Sequence, residues 1–462
     1  MNDHRADEPR AGGSLYRIRF DAELLAIAAA SLFVGAAVGL VSASFKFLLI
    51  NADRFRDAFF LWAHAHAVVG FALAVVICAA AAASAAFLVR RFSPYASGSG
   101  IPHVENVLHG NAPPSPPGLI LVKFFGGLLA IGSGLALGRE GPSVQMGASI
   151  ANISGEYFGL RWKLRRVLIA SGAGAGLAAA FNAPVAGAIF VLEELVREFE
   201  LHIAIAALGA SATAIWVSQA ILGPAAEFHV EELAFADPLT SPLYFLFGAF
   251  AGVAAVIYCR AILGALSFAR KIDRFAPGLT AALVGAAIGA IGWFAPQLVG
   301  GGDAITQKLL WGAQSLPALG LVFCLRFALG PASYATGTPG GIFAPMMVLG
   351  AQLGMIFGEA SKFAFSGLFI QPVAFAVVGM AAFFTAVVRA PLTGIALVTE
   401  MTSDATLLLP MLASCFCAMI APTLAGEAPI YDSLRSLAVG VRRPVSEPAI
   451  DAAPARTERC ET

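Results

Sequence analysis

The sequence predicts an all-α polytopic membrane protein, built as an inverted repeat of many tilted and broken helices. Three observations carry this. Of 462 residues, 58% are hydrophobic and only 13% charged, with mean hydropathy +0.79, which leaves too little polar surface for a soluble protein of this length. Long apolar stretches recur from one end of the chain to the other. Gly and Pro interrupt several of them, and non-helical backbone at membrane depth survives only where it is buried in protein or lines a cavity.

The first twenty residues are too polar and acidic for a secretory signal and read as an N-terminal tail (1–20). Arg5, Arg10, Arg17 and Arg19 precede the first apolar segment, which places this tail in the cytoplasm by the positive-inside rule. Helical apolar stretches then follow at Ala22–Ile50, Ala67–Val89, Leu119–Leu137, Val167–Leu192 and Ala204–Leu222. A polar, acidic stretch (227–241) reads as an extramembrane linker. It separates a first repeat (21–226) from a second (242–441), with apolar stretches at Leu243–Leu263, Leu279–Val299, Ala318–Leu329, Val373–Val388 and Leu407–Leu424. The last residues (442–462) are polar and read as a disordered tail.

The two halves echo each other. Phe181–Glu194 and Val387–Met401 share Ala-Pro-x-x-Gly and a closing glutamate, and Gly141–Ile150 aligns loosely with Ala344–Leu353. Weak internal symmetry with interrupted helices at matching places marks inverted-repeat transporters, whose site lies at the bilayer midplane.

Charge excludes some functions. Lys+Arg and Asp+Glu are equal at 29 each, so no overall bias points to nucleic acid. Cys78, Cys259, Cys324, Cys415, Cys417 and Cys460 lack metal-site spacing and disulfide density, so no metal is expected. Neither HExxH nor GxSxG is present, and Ala170-Ser171-Gly172 reads as close helix packing rather than a nucleophile, so no enzymatic activity is expected.

Three Gly/Pro segments introduce helical runs: Gly98-Ser99-Gly100-Ile101-Pro102, Gly138-Arg139-Glu140-Gly141-Pro142 and Gly341-Ile342-Phe343-Ala344-Pro345. A bare anion in hydrocarbon is prohibitively costly, whereas a cage of lysines would hold it too tightly to release. Helix N-termini offer a middle way, because their first N–H groups are unpaired and carry the positive end of the macrodipole. Glycine lets the backbone approach the ion, and proline fits the first turn of a helix. A glutamate among such N-termini, here Glu140, can occupy an anion's place and leave it when protonated. Helix capping or pairing with Arg139 is the structural alternative.

In this order, the three segments resemble the selectivity filter of the CLC family of chloride channels and proton-coupled chloride exchangers, and Lys123–Gly127 and Phe181–Pro184 fit the same pattern. The resemblance runs from about Phe20 to Val441. It implies a homodimer in a bacterial inner membrane, one pathway per subunit, with chloride and protons as the transported ions and no cofactor. It assigns chloride contact to the Ser99 hydroxyl, the Ile342 and Phe343 N–H groups and the Tyr431 hydroxyl. Glu140 becomes the gate and external proton carrier, and Glu194 the internal one. Serine at position 99 is the residue that the family associates with chloride rather than nitrate or fluoride. Two mechanisms fit these residues. Glu194 and Tyr431 favour proton-coupled exchange; a passive voltage- or pH-gated channel on the same fold is the alternative. Glu105 and Lys123, both among apolar residues, are expected to form a structural ion pair.

Overall fold

The computed structural model describes residues 11–439, except 225, 232, 236, 313 and 314. The tail at 442–462, Arg5, Arg10 and Cys460 lie outside the described residues. The first half comprises α1 (Ala11–His64), α2 (Ala67–Phe92), α3 (Ile101–Leu108), α4 (Gly118–Gly132), α5 (Glu140–Tyr157), α6 (Trp162–Phe181), α7 (Pro184–Phe190) and α8 (Leu201–Leu222). The second comprises α9 (Ser241–Asp273), α10 (Leu279–Phe294), α11 (Asp303–Leu310), α12 (Leu316–Ala335), α13 (Phe343–Ala364), α14 (Pro372–Val388), α15 (Pro391–Thr402), α16 (Leu408–Leu424) and α17 (Ile430–Val439). Among the described residues, seven spans are long and apolar enough to cross a membrane, and four shorter apolar helices accompany them.

The halves repeat one packing scheme, held by residues too small to keep backbones apart. A Cβ on Gly35 or Gly39 of α1 would strike the backbone of Ala210 or Ala214 of α8; Gly248 and Gly252 of α9 stand in the same relation to Ser414 and Ala418 of α16. Gly147 of α5 abuts Gly172 of α6, and Gly350 of α13 abuts Gly379 of α14. Ser171 lies at the α5–α6 contact with its hydroxyl donating to the Val167 carbonyl at 2.8 Å, which is the packing role its glycine-rich surroundings suggest. The halves meet where α7 packs on α15 and α2 on α10.

Two helix expectations need correction. The stretch Val167–Leu192 is two helices: Asn182 adopts a left-handed conformation (φ 55°), and Pro184 then starts α7 in a new direction. The helix expected over Leu119–Leu137 stops at Gly132, because Leu135–Gly138 belongs to an irregular segment leading into α5. The linker does not hang free: Phe228 is buried, its N–H bonds the Met401 carbonyl at 3.0 Å, and His229 and Ala234 exchange hydrogen bonds with Gln307 and Gln371. In addition, α1 begins at Ala11, inside the stretch read as the N-terminal tail.

Candidate functional site

The three Gly/Pro segments come together. Gly98 N–H donates to the Thr338 carbonyl (3.1 Å) and Gly340 N–H to the Gly98 carbonyl (3.1 Å). Gly138 and Gly341 exchange a reciprocal pair at 2.9 and 2.8 Å. These bonds zip the loops before α3, α5 and α13 into one core, satisfying irregular backbone that lipid could not. Each helix leaving the core has a proline in its first turn: Pro102, Pro142 and Pro345.

Glu140, the first residue of α5, sends its carboxylate across to α13. Its Oε1 accepts from Phe343 N–H at 2.8 Å and from Ala344 N–H at 3.4 Å, and the side chain is wholly buried. The space is made by missing side chains. A Cβ on Gly138 or Gly341 would collide with the Glu140 carboxylate, and one on Gly141 would come 2.8 Å from the Ser99 hydroxyl. Glu140 therefore caps α13, and its carboxylate rests on the amides of that helix N-terminus, where an anion would be held.

Around this point lie the other predicted contacts. Ser99 is fully buried, with its hydroxyl oxygen 3.5 Å from Ile101 N–H. Ile342 caps the N-terminus of α13 and Phe343 opens it. Tyr431, the second residue of α17, is fully buried and stacks on Phe343 with ring centroids 6.1 Å apart. Its hydroxyl has no hydrogen-bond partner among the described residues, an arrangement costly in apolar surroundings unless something polar visits. It is a core residue, not an interfacial one.

Glu194 lies on a π-helical turn, Val191–Leu195, that continues α7. Such turns add one residue to a helix and recur at functional sites. Here the turn separates two neighbouring acids. Glu193 turns to α15 and accepts from the N–H groups of Leu392 (3.0 Å) and Thr393 (2.7 Å), whereas Glu194 turns inward and is 2% exposed. Arg197 contacts Glu194 at 3.4 Å and also pairs with Asp432 of α17. The structure thus places Glu140 with the chloride-contact candidates, and Glu194 apart from them beside Asp432.

Glu105 and Lys123 do not form the expected ion pair. Lys123 instead donates to the carbonyls of Ala96 (3.1 Å) and Gly98 (2.7 Å), which braces the first filter loop from behind. Glu105 faces Glu194 and Arg197, and neither of its carboxylate oxygens has a donor among the described residues.

Sequence reasoning missed two features. Glu400 of α15 accepts from the N–H groups of Val185 (3.0 Å) and Ala186 (2.8 Å) in α7, so Glu193 and Glu400 cap each other's helices. Their matched offset from Ala-Pro-x-x-Gly in the two halves was the available signal. The second is an ion cluster beside Glu140. Arg139 pairs with Glu227 and, at 2.9 Å, with Asp303, and Glu227 also pairs with Lys46 at 2.5 Å. These residues are far apart in sequence, and no spacing announces them.

Known proteins agree with this picture. The model of the family described as voltage gated chloride channel matches residues 81–422. The H(+)/Cl(-) exchange transporter ClcA of Vibrio parahaemolyticus is 42% identical over 367 residues, 78% of this chain and 79% of that protein. ClcA of Vibrio vulnificus is 37% identical over 407 residues, 87% of each chain. Among solved structures, a slow cyanobacterial Cl-/H+ antiporter superposes with TM-score 0.86 at 31% identity, covering 90% of this chain and 98% of the other.

Proposed function

The chain belongs to the voltage-gated chloride channel family, the CLC family, and from that premise we propose how its residues perform proton-coupled chloride antiport across a membrane. The observation that carries the reading is the Glu140 carboxylate seated on the Phe343 and Ala344 amides. Ionised, it competes with chloride for the same N–H groups. Protonated, it loses the charge that those amides favour, leaves them, and chloride takes its place. One group is then both gate and proton carrier, so the two fluxes are tied together.

Chloride is held by neutral donors: the N–H groups of Ile342 and Phe343 and the hydroxyls of Ser99 and Tyr431. Partial charges bind an anion strongly enough to replace its hydration and weakly enough to let it go. The orphan hydroxyl of Tyr431 supports its assignment. Glu194 is the internal proton station. It stands apart from the chloride contacts, and the more exposed Arg197 and Asp432 beside it link it to one face of the protein.

That face is the cytoplasmic one. The contacts Gly35–Ala210 and Gly39–Ala214 run in the same direction along α1 and α8, so the N-terminus shares a side with Leu201 and hence with Glu194. The positive-inside reading of Arg17 and Arg19 then puts both in the cytoplasm of a bacterial cell. The working assembly is a homodimer with one pathway per subunit, and transport needs no cofactor and performs no covalent chemistry.

The test uses purified protein in lightly buffered liposomes, with an imposed chloride gradient and no initial proton gradient. Uphill proton movement driven by chloride is the expected result. Chloride flux with no proton movement beyond leak would overturn exchange and leave a passive channel gated by Glu140.

A further inference from the structure

Arg139 is the immediate neighbour of the gate, yet it does not touch the Glu140 carboxylate. Its guanidinium is occupied: Nε donates to the Ala180 carbonyl (3.1 Å), Nη1 to Asp303 (2.9 Å) and Nη2 to Glu227. Glu227 comes from the segment joining the two halves, and its second oxygen is held by Lys46 of α1. Four separate parts of the chain thus meet here: α1, the start of α5, the joining segment and the first turn of α11. Glu227, Arg139 and Lys46 keep 8%, 12% and 15% of their side-chain surface, so the pairs are largely shielded from solvent screening. Two cations face two carboxylates, and the corner is neutral as a whole.

We propose that Glu227 is a positioning residue for the gate: by holding the Arg139 guanidinium, it denies Glu140 a full counter-charge and leaves the α13 amides as its resting place. This rests on the reading of Glu140 as the gate. A carboxylate paired with a free arginine would stay ionised and away from the amides, because an opposite charge at short range favours the charged form. The protonation that drives the exchange cycle would then need more acid. Held elsewhere, Arg139 supplies only distant charge, and the exchangeable partner of Glu140 is a set of partial charges that chloride can also use.

The other groups around this corner are accounted for. Asp53 and Arg56 of α1 pair with each other, and Arg326 of α12 donates to the Gly300 and Gly301 carbonyls next to Asp303. Tyr431 faces Glu140 from α17, with Glu105 and Glu194 beyond it. Burial works to raise the proton affinity of Glu227, but Arg139 and Lys46 prevail and hold its carboxyl below the ordinary glutamate value. Glu227 therefore stays ionised over the working pH range, and the cluster restrains Arg139 without itself sensing pH.

The experiment is the pH profile of chloride efflux from liposomes for the full-length protein and its Glu227→Gln variant, with Glu227→Asp as the charge-conserving control. Freed Arg139 is expected to move half-maximal efflux to lower pH by about one unit, a tenfold change in proton concentration. Glu227→Asp should keep the original profile. Lower efflux with an unshifted profile would mean that the cluster only holds the fold together, and higher efflux at every pH would mean that it acts through local charge; either result overturns the proposal. Asp303→Asn releases the same guanidinium from its more exposed side, 42% of the Asp303 side-chain surface, and decides the matter if Glu227→Gln does not fold. It should shift the profile in the same direction by less. In a Glu140→Gln background, Glu227→Gln should produce no shift. If Glu140→Gln alone keeps the full pH dependence, it is the gate assignment that fails, separately from the role of Glu227.

Discussion

Helices α5 and α13 hold matching places in the two halves and differ where each begins. Aligned through Pro142 with Pro345 and Gly147 with Gly350, the first residue of α5 is Glu140 and that of α13 is Phe343. Both start inside the protein from glycine loops, and both pack on the following helix through bare glycine. One presents a carboxylate, the other its unpaired amides, and the two meet at 2.8 Å. The same asymmetry recurs lower in the fold. Glu193 and Glu400 are matched residues with matched jobs, but the next positions are Glu194 and a buried methionine, Met401. The architecture comes from both halves, whereas both acids proposed to carry protons come from the first. Symmetry supplies helix ends that converge, and on the proposed reading its local breaking turns an anion-binding point into one that also carries protons.

The difference between Glu194 and Met401 offers the largest expected effect. Removing a positioned proton carrier costs on the order of a hundredfold. Glu194→Gln should therefore cut proton flux by about that factor while leaving chloride flux within about twofold. Met401→Leu, a near volume-conserving exchange that costs less than about 1.5 kcal/mol, should leave both fluxes unchanged. Paired proton and chloride efflux assays on the two variants check this. Equal loss of both ions in Glu194→Gln would erase the distinction.

A smaller effect is expected where the two helices touch. An added Cβ at Gly341 meets Glu140 Oε1 and the Gly141 nitrogen, and overpacking a tight site costs about 1–3 kcal/mol. Gly341→Ala should lower chloride turnover by about tenfold, whereas alanine at Gly367, whose Cβ would meet nothing, should be silent. Efflux rates of the two variants measured side by side decide whether the glycine cradle matters.

The smallest concerns Tyr431, which faces the junction from the end of the second half. Losing one hydroxyl that donates to an anion removes about 1.5 kcal/mol, so Tyr431→Phe should weaken chloride binding by about tenfold or less while the fold persists. Calorimetric chloride titration of the variant reads this directly, and unchanged affinity would remove Tyr431 from the contact set.

The convergence of the three Gly/Pro segments on Glu140 was legible because their signals are local: glycine, proline and an acid in short order, in an apolar chain. The long lipid-facing helices were legible from hydropathy alone. Helix α5 does not stand out in that way, because it is surrounded by protein and carries small and polar residues such as Ser143, Gln145 and Asn152 without cost. The break between α6 and α7 falls inside a continuous apolar run and is marked there by Asn182 and Pro184. The cluster of Lys46, Arg139, Glu227 and Asp303 could not be read, since its members are joined only by the fold. For the same reason Glu105 and Lys123, both buried acid and base, were matched wrongly: Lys123 finds carbonyls nearer than a carboxylate.

The central claim is that the Glu140 carboxylate sits where a chloride ion otherwise would. Titration calorimetry with chloride tests it most directly, comparing the unmodified protein with Glu140→Ala at a pH where glutamate is ionised. The account predicts that the variant binds one more chloride per chain, taken up at the amides of Phe343 and Ala344 that the carboxylate had held. An unchanged number of bound ions would contradict it.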